Sequence, residues 1–158
     1  MGLFSVDEVL QMAMQAEEAG RLLYDTMSGA ATDKDIAKLC GDLSRQEQIH
    51  FEHFKAIRAS QPSQKDSRRL SLEEMDFVSA LVEGRVIPNP AEARRLIKGN
   101  DLAKVLDMAI EAELGSQAFY REIIAGVEAK HASMIEAIIT EEKTHERRLR
   151  QVRERIKA

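Results

Sequence analysis

Residues 13–24 read AMQAEEAGRLLY, and residues 109–120 read AIEAELGSQAFY. Ala13 matches Ala109, Glu17 matches Glu113 and Tyr24 matches Tyr120, each offset by 96. Further on, Glu47 matches Glu142 and His50 matches His145, offset by 95. A single-residue difference in loop length reconciles the two offsets. The chain is therefore two copies of one unit, and a fold must accommodate that repeat. Each unit carries a Glu, a Tyr seven residues later, and a Glu-x-x-His about thirty residues after the first Glu.

Each copy has the pattern of a helical hairpin. Ser5 and Glu8 form a capping box that opens the first helix. Val9, Leu10, Ala13, Ala16, Leu22, Leu23 and Met27 follow at helical spacing, and Ser28-Gly29 reads as the stop. A second helix starts near Thr32 or Asp33 and runs to about Ala59, with Ile36, Leu39, Leu43, Ile49, Phe54 and Ile57 on its stripe. Asp101 caps a third long helix that continues to about Ile124. A fourth, starting between Glu128 and Ser133, carries Met134, Ile135, Ile138, Ile139 and Leu149. Between the hairpins the chain turns polar. Ser71 to Glu74 reads as another capping box, and Pro90 opens a short helix ending at Gly99.

The expected fold is an all-α four-helix bundle in a single domain. It has a hairpin over 5–60, a crossover with one or two short helices over 61–100, and a hairpin over 101–157. Helices of about 24 residues span roughly 36 Å, enough to place a site at mid-length. Length and composition agree: 158 residues suffice for one core, and 8 Gly and 3 Pro are few.

Core periodicity alone would repeat apolar residues. It would not require Glu and His to recur in register on the inward stripes. Buried carboxylates need a counter-charge, and a metal supplies one. Glu-x-x-His places an oxygen and a nitrogen ligand at i and i+3, on one helix face. Two such pairs plus one Glu from each remaining helix make a known two-metal ligand set. The predicted ligands are Glu17, Glu47, His50, Glu113, Glu142 and His145. Their four negative charges would neutralise two divalent ions. Hard oxygen with some imidazole suits iron or manganese and would accept zinc.

A third Glu-x-x-His, Glu128/His131, has no partner in the first half and reads as surface. His53 shares a face with His50, but its counterpart is Arg148, so it reads as surface or as a neighbour of the ligands. Glu18, Glu111 and Glu141 read as solvated. Tyr24 and Tyr120 are either core tyrosines with satisfied hydroxyls, hydrogen-bond partners of a ligand carboxylate, or redox-active phenols.

These segments, with E-Q-I-H and E-E-K-T-H, resemble the rubrerythrin-like branch of the ferritin-like superfamily. The resemblance spans nearly the whole chain. It implies a nonheme diiron centre in which Glu47 and Glu142 bridge, Glu17 and Glu113 are terminal, and His50 and His145 each cap one iron. Two departures stand out. Rubrerythrins carry a rubredoxin-like domain with four cysteines, whereas Cys40 is the single cysteine here and reads as a core residue. They also carry a further glutamate where this chain has Ser116.

The leading expectation is an oxidoreductase that reduces hydrogen peroxide or dioxygen with Fe(II), fed by a separate electron donor. The alternatives are iron handling by ferroxidation without peroxide turnover, or a non-catalytic bundle. A homodimer is expected from the resemblance. A formal charge of -4 gives no reason to expect nucleic acid, and the basic run from Arg147 to Lys157 fits the end of a helix. The sequence shows no membrane span and no secretory signal, so a cytoplasmic location is the expectation.

Overall fold

The computed structural model describes residues 5–61, 73 and 90–157. Among them are five α-helices: α1 (Val6–Ala30), α2 (Lys34–Ala59), α3 (Pro90–Lys98), α4 (Leu102–Ile124) and α5 (Ala129–Lys157). No strand occurs among the described residues, and none of these helices is long and apolar enough to cross a membrane. The capping box expected at Ser71 lies outside the described residues.

Local chemistry sets the helix boundaries. Ser5 Oγ accepts from the Glu8 amide while the Glu8 carboxylate accepts from the Ser5 amide. That satisfies two amides which the first turn would otherwise leave bare. Asp33 caps α2 through the amides of Asp35 and Ile36. Ser28-Gly29 does not end α1. The Ser28 hydroxyl donates to the Ala37 carbonyl across the hairpin, and the helix runs on until Ala31 turns extended at φ -69, ψ 131. At the end of α3 the left-handed residue is Asn100, with φ 60, not Gly99. The Asn100 amide donates to Ile97 and the Asp101 amide to Leu96, which closes a Schellman turn. Asp101 then caps α4 through the Lys104 amide, so one residue ends one helix and begins the next.

Packing order gives the topology. α1 lies along α2, α4 lies along α5, and α3 packs on α1 and α4. Two apolar clusters fill the bundle. One holds Leu10, Ala13, Phe54, Ile57, Tyr120, Ile123, Ile135 and Ile138. The other holds Leu23, Met27, Ile36, Leu43, Val105, Leu106, Leu149 and Val152. Along α1 and α5 the chain passes from the first cluster to the second; along α2 and α4 it passes the other way. Each hairpin is thus antiparallel, and the second enters by way of the crossover. Glu17, Glu47, Glu113 and Glu142 each fall between the two clusters on their own helix.

Three apolar residues expected on core stripes face outward: Ile49, Leu22 and Met134. On α2 the buried positions are 36, 39, 40, 43, 44, 47, 50, 54 and 57. Ile49 lies off that stripe, because period 3.6 turns it away from both Glu47 and His50.

Candidate metal centre

The structure brings all six residues singled out by the repeat into the layer between the apolar clusters. Glu17, Glu47, His50, Glu113, Glu142 and His145 are each at most 4% exposed. They sort into two overlapping groups of four: Glu17, Glu47, His50 and Glu142, and Glu47, Glu113, Glu142 and His145. Within each group one ligand atom per residue lies within 4.8 Å of the others. Glu47 and Glu142 belong to both groups.

Both histidines turn Nδ1 toward the carboxylates. His50 Nδ1 is 2.8 Å from Glu142 Oε1 and 3.5 Å from Glu17 Oε2. His145 Nδ1 is 3.3 Å from Glu47 Oε1 and 3.6 Å from oxygens of Glu113 and Glu142. The two rings stack with centroids 5.6 Å apart. None of these approaches is aligned as a hydrogen bond. At least one buried atom on each residue has no hydrogen-bond partner: Glu17 Oε2, Glu47 Oε1, His50 Nδ1, Glu113 Oε2, Glu142 Oε1 and both ring nitrogens of His145, of which Nδ1 faces the carboxylates. Native interiors rarely leave such groups bare. Six of them converging, all oxygen or imidazole nitrogen, fit a pair of hard to borderline divalent ions.

The electrostatics point the same way. Burial pushes the Glu47 carboxyl well above its usual range, and the charges of Glu17 and Glu113 push it further. Burial does the same to Glu142, reinforced by Glu113, Glu47 and Glu17. Burial also raises Glu17, but the close approach of Glu47 and His50 and the hydrogen bond from Tyr120 outweigh it and bring that carboxyl down. For His50, burial favours the neutral ring, yet Glu17 and Glu141 outweigh it and raise the pKa. Four carboxylates this close cannot all be charged without cations among them.

Tyr24 and Tyr120 are fully buried, and their hydroxyls are satisfied across the bundle. Tyr24 on α1 donates to Glu113 Oε1 on α4, and Tyr120 on α4 donates to Glu17 Oε1 on α1. Each tyrosine therefore serves the glutamate of the other hairpin. Burial and then the adjacent carboxylates raise both phenols, so they remain protonated donors.

Beside the cluster is a cavity of about 10 Å³ lined by Ala16, Gly20, Tyr24, Ala112 and Ser116 together with Glu47, Glu113 and Glu142. Gly20 and Ser116 occupy the same position in the two repeats. A Cβ at Gly20 would stand 3.3 Å from Glu47 Oε2. The larger open cleft of about 670 Å³, lined by Arg147, Arg148, Arg150 and Arg155, involves none of the six residues.

The remaining sequence candidates separate clearly. His131 meets the Ser60 hydroxyl at the surface, and Glu128 pairs with Lys130. His53 belongs to neither group of four. Glu18 pairs with Arg21, and Glu111 is exposed. Cys40 is buried, with its thiol pushed up to about 12 by burial, so it stays inert. Glu141 is a correction: though its side chain is exposed, Oε2 lies 2.5 Å from His50 Nε2. Its exposure fits the solvated reading, but that reading missed the contact with His50, whose side chain reaches across to it from α2. Gln117 was also missed. It is buried one turn after Glu113, and its Nε2 donates to Glu146.

No protein-family model matches the chain, and no curated protein does. Among solved structures, the fold is similar to that of a candidate ferritin-like diiron-carboxylate protein from Thermotoga maritima. The two are 25% identical, the match covers 98% of this chain and 97% of that one, and the TM-score is 0.77. The all-α bundle is a ferritin-like fold, and its buried carboxylate–histidine cluster fits a two-metal site.

Proposed function

We propose that the chain is a rubrerythrin-like nonheme diiron oxidoreductase that reduces hydrogen peroxide or dioxygen. The observation that carries this reading is the pair of overlapping four-residue groups, with one unpartnered buried ligand atom on each residue. Glu47 and Glu142, common to both groups, would bridge two ions. Glu17 with His50, and Glu113 with His145, would complete one ion each. The Thermotoga protein, described as diiron-carboxylate, supports iron over manganese or zinc.

When bound, two Fe(II) ions would supply the two electrons that cleave or reduce an O–O bond. The protein's own groups do the rest. The small cavity beside the cluster would admit a small molecule next to the ions. Tyr24 and Tyr120 hold Glu113 and Glu17 in place by hydrogen bonds, so these carboxylates keep one oxygen free for an ion. The apolar clusters on either side keep water from the layer. The single cysteine in this sequence is buried, so no four-cysteine iron centre lies within these residues, and a donor outside them would restore Fe(II).

The test is metal analysis of untagged protein, followed by anaerobic addition of peroxide to the diferrous form. Two irons per chain and fast oxidation are expected, and the Glu47→Ala, Glu142→Ala double variant should bind none. Absence of stoichiometric metal would sink the proposal. Ser116 lines the cavity where rubrerythrins carry a further glutamate, which favours ferroxidation as the second reading. Loading of ferric mineral in large assemblies, with no turnover of peroxide, would select it.

A further inference from the structure

The repeat makes the two proposed metal positions near copies of each other, yet the far sides of the two imidazoles differ. His50 turns Nε2 toward Glu141 Oε2 at 2.5 Å. His145 Nε2 is buried and has no partner among the described residues. Glu141 stands immediately before Glu142, and its repeat counterpart, immediately before Glu47, is Gln46. Gln46 Oε1 is likewise buried and unpartnered. One half of the protein therefore backs its histidine with a carboxylate, while the other carries a neutral amide at the equivalent sequence position and leaves its histidine unbacked.

We propose that Glu141 makes the two metal positions unequal, so that the position capped by His50 binds more tightly and fills first. The proposal rests on the two-metal reading of the cluster. A carboxylate that accepts from Nε2–H fixes the tautomer that leaves the Nδ1 lone pair toward the carboxylates. It also makes Nδ1 more basic, hence a better ligand. The charge-assisted bond is stronger than any an amide could make, and it holds the ring's orientation. The His145 ring lacks this support, so part of its binding free energy goes into fixing ring and tautomer. Glu141 touches no ion; it acts through His50 as a positioning residue.

The experiment is a Co(II) titration of metal-free, full-length protein in competition with a chelator. Visible absorption of Co(II) follows the coordination, and calorimetry gives the stoichiometry. Wild type should take up two ions in two resolved steps. Glu141→Gln, which keeps an acceptor but removes the charge, should weaken the first step by roughly 10–100-fold and leave the second unmoved. Single-position variants assign the steps. In a His145→Ala background Glu141→Gln should weaken binding, whereas in a His50→Ala background it should change nothing. Gln46→Glu in the His50→Ala background should tighten binding by a similar factor. Glu141 is largely exposed, so unaltered helicity and melting of Glu141→Gln will exclude misfolding as the cause. Equal weakening in both backgrounds, or weakening in neither, would overturn the proposal. If wild type binds two ions and these tests fail, the two-metal reading survives without the asymmetry. If wild type binds none, both fall.

Discussion

Gly20 is in the middle of α1, where a residue without a side chain costs about 0.5–1 kcal/mol relative to alanine. Its position against the Glu47 carboxylate explains the cost: a Cβ there would stand 3.3 Å from Oε2 and 3.4 Å from Cδ. Gly20→Ala should therefore split two properties. In the metal-free protein the gain of about 0.5–1 kcal/mol from helix propensity is offset in part by displacing the buried Glu47 carboxylate by a few tenths of an ångström, and that displacement lowers metal affinity. Thermal melting and metal titration of the same sample check both signs. The tyrosines permit a second test at this scale. Tyr24→Phe removes the donor to Glu113, and Tyr120→Phe removes the donor to Glu17. Each should weaken one metal position by roughly 10–100-fold and spare the other, as read from the two steps of a titration. All six cluster residues were legible in the sequence because their chemistry recurs at fixed offsets, which apolar packing does not demand. Gly20 and Glu141 were not legible. A glycine's value lies in what approaches it, and Glu141 acts on a histidine from another helix.

At the scale of elements, legibility follows the range of the interaction. Ser5 and Asp101 were readable as caps, and the start of α2 as Thr32 or Asp33, because each cap bonds amides two or three residues away. Ser28-Gly29 was misread as a stop because the Ser28 hydroxyl is satisfied by Ala37, nine residues on. Residues off the buried stripes, such as Ile49, were misplaced because phase is set by the partner helix and not by apolarity alone. Asp101 has an unusual position, as its amide closes α3 and its carboxylate opens α4. Asp101→Ala should cost about 0.5–2 kcal/mol, the range for a lost N-cap. It should leave metal binding unchanged, because Glu113 is three turns further along α4. Chemical denaturation with a metal titration distinguishes this outcome from damage to the site itself.

For the whole molecule, neither hairpin holds a complete group of four. Glu17, Glu47 and His50 need Glu142 from α5, and Glu113, Glu142 and His145 need Glu47 from α2. The direct helix packing is mostly within hairpins, so ions bound in the shared layer would tie the two together. A ligand at a hundred times its Kd stabilises the folded state by about 2.7 kcal/mol. For a chain of this size that raises Tm by roughly 5–10 °C. The sign of its pH dependence follows from Glu47 and Glu142. Both carboxyls have folded pKa values raised above the unfolded value of 4.5, first by burial and then by neighbouring carboxylates. The folded metal-free protein thus binds protons more tightly than the unfolded chain does. Through these two groups its stability declines as pH rises above 4.5 toward their folded pKa values. Glu17, whose pKa is lowered, opposes this only in part. Divalent ions displace the same protons, so they bind best where the protons are already leaving. The rise in Tm on adding metal should therefore be larger near neutral pH than in mild acid. Calorimetry at one pH in two buffers of different ionisation enthalpy should also show protons released as metal binds. A rise in Tm independent of pH, with no proton release, would mean that the ions bind outside the buried layer.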